Sequence, residues 1–368
     1  MDDDTRFMRL ALRLARRGLG RTSPNPSVGA LIVQHGRVVG RGFTAPAGGP
    51  HGEVNALRDA GRRARGATLY VTLEPCAHFG RTPPCIAAIR AAGIARVVIG
   101  TRDPNPQVAG GGATKLRRAG LAVTVGVEQR ACDEQIAAFR THVTAGRPFV
   151  ILKLAASLDG RIATATGESK WITSATARRL VHRLRNEHDA VLVGVQTIVR
   201  DDPALTCRLR GGRDPVRVVL DRRLRIPETA QVLTKRGAAA TVVATSVSAG
   251  AKRRRLEARG VQLLTVPAGD GGVSLPRVLA ALGRRGMSSV LIEGGAAVAA
   301  TALKAKLVDR MMIFLAPKLI GGDGRPMIDA LGVRAMRHAL ALSDIRVQRV
   351  GADLLITAMP VFASERKR

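Results

Sequence analysis

The sequence contains very few aromatic residues. Phenylalanine, tyrosine and tryptophan together make up 2% of its 368 residues, with a single tryptophan and a single tyrosine. Proteins that hold single-stranded nucleic acid usually stack successive bases on aromatic rings. So few rings exclude an extended stacking platform of that kind.

The formal net charge of +31 still raises the question of nucleic-acid binding, because Lys and Arg neutralise phosphates. Residues 1–147 carry 22 basic and 10 acidic side chains, and residues 148–368 carry 37 and 18. No basic arm concentrates the excess. Only 9 of the 59 basic residues are lysine, which indicates a chain-wide bias towards arginine. We therefore expect phosphorylated small molecules as partners and no specific nucleic acid.

Long apolar runs and a cysteine framework are also absent. Runs such as Ala30–Val33 and Val290–Ile292 are strand-sized and far too short for a membrane span. The acidic start at residues 2–4 is unlike a secretory signal. Four cysteines, at positions 76, 85, 132 and 207, are too few and too scattered for a disulfide scaffold. We expect a cytoplasmic protein without a membrane partner, whose cysteines bind metal or are buried.

The length of the chain favours two domains, because one hydrophobic core rarely supports 368 residues. Short strand-like and helix-like segments alternate through both halves, which is typical of layered α/β domains. The turn-rich stretch TAGRP at 144–148 separates a helical segment from the strand-like run FVILKLA. The sequence therefore predicts two α/β domains, residues 1–146 and 147–368.

One histidine and two cysteines give the sharpest chemical signal. The tripeptide HGE at 51–53 begins a predicted helix, the dipeptide PC at 75–76 follows a predicted strand, and Cys85 comes after eight intervening residues. One imidazole and two thiolates make a zinc site that leaves a position open for water, as catalytic sites do. The motif of zinc deaminases has only two residues between its cysteines. The longer insertion leaves His78 as a rival ligand, and a buried cysteine pair as the alternative interpretation.

Glu53 is two residues from His51 and is not needed as a ligand. A carboxylate beside a zinc-bound water can transfer its proton to a leaving amine, which is the role of the glutamate in zinc deaminases. We interpret the other two cysteines, Cys132 and Cys207, as ordinary small apolar residues.

The second half contains a series of weaker motifs. They are KLAASLDG at 153–160, GESKWIT at 167–173, RLRNEHDAVLVG at 183–194, DDPALTCR at 201–208 and IEGGAAVAATAL at 292–303. The predicted strand Ser289–Glu293 leads into two glycines and a helix, which would make a phosphate cradle. The G-x-G-x-x-G fingerprint is missing, which disfavours a Rossmann site. Lys153 lies in an otherwise apolar strand and should have a partner such as Glu293 or the substrate.

Four segments of the first half carry a family resemblance: PNPSVGA at 24–30, HGEVNAL at 51–57, VTLEPCAHFGRTPPC at 71–85 and DPNPQVAGGG at 103–112. In these segments the chain resembles the deaminase half of the bifunctional deaminase/reductases of riboflavin biosynthesis. The long spacing between the cysteines is the rule in that family. The resemblance implies a cytidine-deaminase-like α/β/α layered domain. Gly52 stands where the family usually has alanine, and we expect the site to tolerate it.

This resemblance assigns roles to individual residues. His51, Cys76 and Cys85 would hold Zn²⁺, and Glu53 would transfer protons. Amide side chains can both donate to and accept from a heterocycle. The resemblance implies that Asn25 and Asn105 line the pyrimidine pocket. It also implies that Arg81 holds the substrate phosphate, although Arg81 is equally well interpreted as a solvated loop residue.

The motifs of the second half, taken in order, resemble the reductase half of the same family, a dihydrofolate-reductase-like α/β domain. The resemblance implies NADPH contacts at Ala155, Trp171, Thr197, Asp201, Gly295, Ala296, Ala297, Val298, Ala299, Ala300 and Thr301. It implies substrate contacts at Ser169, Arg185, Leu205, Arg208 and Glu293, with Lys153 and Glu293 as catalytic residues. Trp171 could instead be a core anchor, and the two arginines ordinary surface residues.

The resemblance implies an enzyme that first deaminates a phosphoribosylated diaminopyrimidine and then reduces its ribosyl group to ribityl with NADPH. Two alternatives stay open at this point. One half could be degenerate, or the zinc chemistry could serve a base of RNA, with the net charge binding the backbone. We also expect a homo-oligomer.

Overall fold

The computed structural model of the chain describes residues 2–77, 83–106, 111–235, 239–269 and 272–362. Its elements form two compact units. Unit 1 comprises Met1–Arg147 and Gly286–Ser288, and unit 2 comprises Pro148–Arg285 and Ser289–Arg368. The division after Arg147 lies one residue from the boundary that the turn-rich stretch predicts. Among the described residues, no helix is long and apolar enough to cross a bilayer.

Unit 1 is built around one five-stranded sheet. In chain order its elements are α1 Asp3–Ala15, β1 Gly29–Gln34, β2 Arg37–Phe43, α2 Gly52–Ala60, β3 Thr68–Leu73, α3 Cys85–Ala91, β4 Arg96–Thr101, α4 Gly111–Arg118, β5 Ala122–Val125, α5 Gln129–Gln135 and α6 Ala137–Ala145. The strand order is β2-β1-β3-β4-β5. Strand β1 is antiparallel to both β2 and β3, whereas β3, β4 and β5 are parallel.

Helix α2 lies directly on the sheet and carries the predicted zinc histidine at its start. The close approach depends on Gly42 of β2, because a Cβ at that position would lie 2.2 Å from the Gly52 carbonyl oxygen and 2.3 Å from the Ala56 nitrogen. The apolar face of α2, which includes Ala56 and Leu57, is buried against the core. Burial of that face therefore fixes the start of α2, and with it the backbone of His51.

Unit 2 is built around one nine-stranded sheet. In chain order its elements are β6 Phe149–Ser157, β7 Arg161–Ala163, α7 Ala175–Glu187, β8 Ala190–Gly194, α8 Val195–Asp201, β9 Val216–Leu220, α9 Gln231–Thr234, β10 Thr241–Thr245, α10 Ala251–Ala258, β11 Gln262–Thr265, β12 Ala268–Gly269, β13 Gly272–Val273, α11 Leu275–Arg284, β14 Ser289–Glu293, α12 Ala296–Lys304, β15 Arg310–Ala316, β16 Arg325–Pro326, β17 Ala341–Val350 and β18 Asp353–Val361.

The large sheet has the strand order β11-β10-β9-β8-β14-β6-β15-β18-β17. The strands from β11 to β15 are parallel, and β18 and β17 add an antiparallel edge. The carboxyl ends of the parallel strands therefore lie along one edge of the sheet, where loops of α/β folds collect functional residues.

The predicted α/β alternation is confirmed in both halves, but one long strand has no apolar signal in the sequence. Strand β17 has mostly exposed side chains, because it forms an edge of the sheet and pairs only with β18. Its segment ALSDIRVQRV is too polar to be read as a buried strand. Edge position, which is a tertiary property, explains why the sequence pattern missed it.

Candidate active sites

The three predicted zinc ligands come together in unit 1 at the starts of two helices. His51 is the N-cap residue of α2, and Cys85 is the first residue of α3. Cys76 follows β3 by three residues. The backbone N–H of Cys85 donates to the Cys76 sulfur at 3.3 Å, which ties the two cysteines together.

The geometry of these side chains fits a zinc ion. The His51 Nδ1 atom lies 3.2 Å from the Cys85 sulfur and 3.6 Å from the Cys76 sulfur. All three ligand atoms lie within 4.8 Å of one another. Ligands of a tetrahedral zinc with ordinary bond lengths are roughly 3.5–3.8 Å apart. A small outward movement would admit the ion, and Nδ1 is the imidazole nitrogen that faces it.

The electrostatics of the cluster favour a thiolate. A hydrogen bond from Cys85 lowers the pKa of Cys76 to about 4. The same bond, together with burial, raises the pKa of Cys85, and a hydrogen bond to Cys76 raises the pKa of His51. Metal ligands must be deprotonated, and the lowered pKa of Cys76 favours its thiolate form.

Glu53 lies in the first turn of α2, next to this cluster. Its side chain is 3% exposed, and it interacts with Cys85 and His51. Burial raises the pKa of its carboxyl group. A carboxylate whose pKa moves towards neutrality can both accept and return a proton, which fits the predicted acid/base role.

Gly52 marks a close contact that the sequence did not reveal. A Cβ at this position would lie 2.7 Å from the Val28 carbonyl oxygen. The loop before β1 therefore packs directly on the start of α2. That loop also carries Asn25, whose backbone is held in a turn by Thr22: the Asn25 N–H donates to the Thr22 carbonyl at 2.9 Å, and the Thr22 hydroxyl donates to the Asn25 carbonyl at 3.0 Å.

Glu74 is a functional-site residue that sequence reasoning missed. Its buried carboxylate accepts from the backbone N–H groups of Ala113 at 2.8 Å and Asp103 at 3.2 Å. Asp103 in turn accepts from the N–H of Asn105 at 2.9 Å. Glu74 thus joins the segment of Cys76 to the segment of Asn105. The sequence feature that could have identified Glu74 is its position as a carboxylate directly after a buried strand.

Two earlier assignments fall on the loop between the cysteines. Arg81, the predicted phosphate ligand, and His78, the rival zinc ligand, lie outside the described residues.

In unit 2, three predicted residues form one buried charge group. Lys153 on β6 and Glu293 on β14 are paired across neighbouring strands. Arg185 of α7 makes two parallel hydrogen bonds to Glu293, from Nε at 2.7 Å and from Nη2 at 2.8 Å. The Lys153 ammonium also lies 5.8 Å from the centre of the Phe314 ring. The sequence expectation that Lys153 has Glu293 nearby agrees with this arrangement.

Burial shifts the pKa of Lys153 and that of Glu293 in opposite directions. It lowers the pKa of Lys153, and the negative charge of Glu293 offsets this only in part. Burial alone would raise the pKa of Glu293, but Arg185 and Lys153 outweigh it, so that the pKa is lowered. The group therefore contains a fixed carboxylate beside an amine that releases its proton more readily than usual.

The loop that carries Leu205 and Arg208 is held by a residue that the sequence analysis did not select, His182. The Thr206 carbonyl oxygen lies 3.2 Å from His182 Nδ1 and accepts from Arg185 Nη1 at 3.0 Å. Leu205 is buried with a φ of +52°, so it can face a ligand only through its backbone. Arg208 is exposed.

The predicted coenzyme residues cluster where β14 meets α12. Gly294 and Gly295 have φ angles of +151° and +50°, which other residues rarely adopt, and Gly295 is the N-cap of α12. A Cβ on Gly294 would lie 3.2 Å from the Thr197 hydroxyl, so the start of α8 reaches the same place. Free N–H groups at a helix start can hold a phosphate.

The remaining predicted coenzyme contacts differ in accessibility. Ala297, Ala300 and Thr301 line a cavity of about 770 Å³ together with the start of α11. Ala296 and Val298 are partly buried in the first turn of α12, and Asp201 is exposed at the end of α8. Ala299 is fully buried, so its side chain packs in the core.

Trp171 is not a core anchor. Its side chain is 61% exposed, and the Arg178 guanidinium lies 4.3 Å from the ring centre. Ser169, two residues earlier in the same loop, is partly buried, as is Ala155 on β6. Exposure leaves one face of the indole available to a ligand.

Comparison with known families matches each half of the chain. Residues 1–101 match the cytidine and deoxycytidylate deaminase zinc-binding region, and residues 148–356 match the RibD C-terminal domain. The predicted fold class is confirmed by these two matches and by the solved structures below.

Relatives cover almost the entire chain. The riboflavin biosynthesis protein RibD of Aquifex aeolicus is 45% identical over 354 residues, which is 96% of this chain and 97% of that protein. The Escherichia coli protein of the same name is 40% identical over 96% of this chain and 98% of its own.

Two solved structures agree closely with the whole chain. A RibD structure from Acinetobacter baumannii has a TM-score of 0.87 at 39% identity, and covers 98% of this chain and 99% of that one. A diaminohydroxyphosphoribosylaminopyrimidine deaminase/5-amino-6-(5-phosphoribosylamino)uracil reductase from Thermotoga maritima has a TM-score of 0.86 at 39% identity, with the same coverage. By its motifs, its two sites and its relatives, the chain belongs to the RibD family of bifunctional deaminase/reductases of riboflavin biosynthesis.

Proposed function

We propose that residues 1–146 deaminate 2,5-diamino-6-ribosylamino-4(3H)-pyrimidinone 5′-phosphate and that residues 147–368 reduce the product to 5-amino-6-(5-phosphoribitylamino)uracil. The observation that carries the proposal is the meeting of His51, Cys76 and Cys85 within 4.8 Å. That set of donors has the composition of catalytic zinc and leaves one position open.

In the first reaction, water replaces the ring amine, which leaves as ammonia, and a carbonyl forms. His51, Cys76 and Cys85 would hold a zinc ion, which when bound would supply an activated water as nucleophile. Glu53 would accept a proton from the attacking water and return it to the departing amine. Asn25 and Asn105 hold the polar edge of the pyrimidine, and Glu74 keeps the segment of Asn105 in place.

In the second reaction, the ribosyl ring opens to ribityl, and NADPH when bound would supply the hydride that C1 receives. Opening also requires a proton at the ring oxygen. Lys153 delivers it, since burial lowers the pKa of its ammonium group. Glu293 positions Arg185 through two hydrogen bonds and lies opposite Lys153 on the neighbouring strand.

The hydrogen bonds of Arg185 and the exposure of Arg208 support different roles for these two predicted substrate contacts. Three N–H groups of Arg185 are already engaged by Glu293 and by the Thr206 carbonyl. Arg208 is exposed and makes no hydrogen bond or ion pair with the described residues. Arg208 therefore binds the substrate phosphate, with Ser169 and the backbone of Leu205, and Arg185 mainly positions Glu293.

The test is to supply the diaminopyrimidine phosphate with and without NADPH and to identify both products by mass spectrometry. Without NADPH we expect the deaminated ribosyl compound to accumulate, and with NADPH the ribityl compound. Failure of either conversion in folded, zinc-loaded protein would restrict the function to the other half.

Three further expectations concern the location, the oligomeric state and the partners of the protein. We propose a cytoplasmic location, a homo-oligomeric state and no specific nucleic-acid partner. The even spread of basic residues and the scarcity of aromatic rings support the last of these. Light scattering of the purified protein tests the second, and release of any co-purified nucleic acid by modest salt tests the third.

A further inference from the structure

We propose that Arg178 and Lys318 are positioning residues of the reductase, which hold the indole of Trp171 in the orientation that receives the coenzyme. The inference rests on the reductase function proposed above, in which Trp171 contacts NADPH. Neither Arg178 nor Lys318 is among the residues for which the family resemblance implies a role.

The backbone of Trp171 is tied to the edge of the large sheet where the reductase group lies. The Trp171 carbonyl accepts from the Lys318 ammonium at 2.8 Å. Lys318 comes two residues after β15, and its own carbonyl accepts from the N–H of Leu158, directly after β6, at 2.8 Å. Strands β6 and β15 are parallel neighbours, and β6 carries Lys153. Trp171 therefore lies at the carboxyl end of the strand that carries the reductase ammonium group.

Arg178 covers one face of the indole. Its guanidinium carbon lies 4.3 Å from the ring centre, which is close enough for a cation–π interaction. Its Nη1 donates to the Thr173 carbonyl at 2.6 Å. One side chain thus binds both the ring of Trp171 and the backbone two residues further on, so it restrains the two together.

The helix that carries Arg178 is itself anchored at its start. Ser174 is the N-cap of α7. The buried carboxylate of Asp353, at the start of β18, accepts from the Ser174 N–H at 2.8 Å and from the Ser174 hydroxyl at 2.7 Å. Arg178 lies in the first turn of this helix. Its guanidinium group therefore extends from a backbone that is fixed to the sheet.

The indole stays exposed although its backbone and one of its faces are held. Leu158 and Leu319, which flank the Lys318 contact, are exposed large apolar side chains as well. Exposed apolar side chains that lie together mark binding sites. Holding a ring in one orientation costs conformational entropy, and a ligand that binds to a ring already held does not bear that cost again. Arg178 and Lys318 therefore preorganise the uncovered face of Trp171 for the coenzyme.

The single tryptophan of the chain makes the position of this ring measurable. Acrylamide is a neutral quencher, and in this protein its effect on tryptophan emission reports the exposure of Trp171 alone. In full-length protein without coenzyme, Arg178→Ala should raise the quenching constant, because the second face of the ring becomes accessible. Arg178→Lys should give an intermediate value, because its ammonium group can still approach the ring.

Titration with NADPH measures the consequence for the coenzyme. Arg178→Ala loses a cation–π contact and a hydrogen bond, so the Kd for NADPH should rise about tenfold. Lys318→Met loses one charged hydrogen bond and should raise the Kd about fivefold, and Lys318→Arg should restore most of the affinity. In all these variants kcat at saturating NADPH should stay near the wild-type value, because neither residue touches the reacting atoms.

Arg179→Ala is the matched control. Arg179 follows Arg178 on α7, is exposed, and makes no hydrogen bond or ion pair within the part of the chain that the structure describes. Its removal takes away the same charge and should change neither the quenching nor the Kd for NADPH.

A double-mutant cycle separates positioning from a general structural role. Trp171→Leu should weaken NADPH binding by itself. In that background Arg178→Ala should weaken it no further, because the ring on which Arg178 acts is gone.

Several results would overturn the assignment. They are an unchanged Kd for NADPH in Arg178→Ala or in Lys318→Met, an equal loss in Arg179→Ala, and a loss from Arg178→Ala that is the same with and without Trp171. A wild-type protein that binds no NADPH would contradict both this inference and the proposed reductase. A wild-type protein that binds NADPH but reduces no pyrimidine would contradict the proposed function alone.

Discussion

Single side chains decide the metal chemistry of unit 1. The two sulfurs and the imidazole nitrogen need to move only slightly to reach the distances that a tetrahedral zinc requires. Cys132 is not one of these three clustered residues. Cys132 is fully buried, and a Cβ on Gly100 would lie 2.2 Å from its sulfur, so it packs tightly against β4. The sequence interpretation of Cys132 as a small apolar residue agrees with this position.

Removal of a ligand cysteine should release the metal. We expect Cys76→Ser and Cys85→Ser each to lose most of the zinc, of which wild type should hold about one ion per chain. Cys132→Ser should retain it. Metal analysis of the purified variants by mass spectrometry gives the stoichiometry. Equal zinc content in all three variants would exclude this ligand set.

His182 gives a second prediction at this scale, for the reductase. Burial, together with the charges of Arg185 and Arg208, lowers the pKa of His182, so that it is neutral at physiological pH. Its Nδ1 can then donate to the Thr206 carbonyl only as the Nδ1–H tautomer. We expect His182→Ala to raise the KM for the pyrimidine phosphate roughly fivefold through the lost hydrogen bond.

The coenzyme provides the control for His182. Because the residue holds the substrate loop and not the α12 cradle, the KM for NADPH should stay near the wild-type value. His182→Asn, which can still donate to the carbonyl, should recover part of the affinity. A change confined to NADPH, or equal changes for both substrates, would show that the residue acts elsewhere.

At the scale of elements, a carboxylate in one turn of unit 2 ties that turn to a distant loop. Asp159, in the turn between β6 and β7, accepts from Ser157 at 2.5 Å and from the N–H groups of Ile320 and Gly321 at 3.1 and 2.7 Å. One carboxylate therefore joins the end of β6 to the loop after β15. Asp159 and Ile320 are 161 residues apart, so no local sequence pattern could predict this contact.

The Asp159 carboxylate predicts a pH-dependent contribution to stability. The Ser157 hydroxyl and the two N–H groups lower the pKa of Asp159 to about 2, whereas an unfolded aspartate titrates near 3.9. A depressed pKa stabilises the folded state above about pH 4, and the effect is lost as the pH falls towards 2. Asp159→Asn should therefore melt a few degrees lower than wild type at pH 7.

Melting curves recorded from pH 7 down to pH 2.5 test this origin. The difference in Tm between wild type and Asp159→Asn should shrink steadily below about pH 4, because protonation makes the two side chains similar. A difference that is independent of pH would mean that packing, and not the charge, is responsible.

At the scale of the whole molecule, the two chemistries use separate sets of residues. The zinc ligands and Glu53 belong to unit 1, and Lys153, Glu293 and Arg185 belong to unit 2. Units with their own cores usually tolerate point changes independently. The two activities should therefore be separable by mutation.

Glu53→Gln makes this separation measurable. The amide is nearly isosteric and Glu53 is not a zinc ligand, so zinc should remain bound while deamination falls on the order of a hundredfold or more. Supplied with the deaminated pyrimidine, the same variant should oxidise NADPH at a near wild-type rate. Loss of both activities in folded, zinc-loaded protein would refute independent sites.

Lys153→Ala is the converse change. Deamination should continue, and the unreduced ribosyl intermediate should accumulate when the starting pyrimidine and NADPH are supplied together. Chromatography of the reaction mixture identifies that intermediate. Its absence, with the ribityl product formed at the wild-type rate, would remove Lys153 from the reduction step.

The sequence by itself determined the local chemistry of this protein. Periodicity of apolar residues predicted most helices and strands, because each element buries one face or one stripe. Residue type pointed to a zinc site at His51, Cys76 and Cys85 with Glu53 beside it, and the resemblance to the deaminase family accounted for the long spacing between the cysteines. The motif around Lys153 identified an ammonium group that needed a partner.

Only the tertiary structure decided which distant groups meet. The Val28 carbonyl leaves no room for a side chain at Gly52, Glu74 joins two loops of the deaminase unit, and Arg185 is engaged mainly by Glu293. Strand β17 escaped notice for the same reason, since its partner and its exposure are set by the sheet edge. Contacts between residues far apart in sequence depend on how elements pack, and a linear pattern contains no record of that packing.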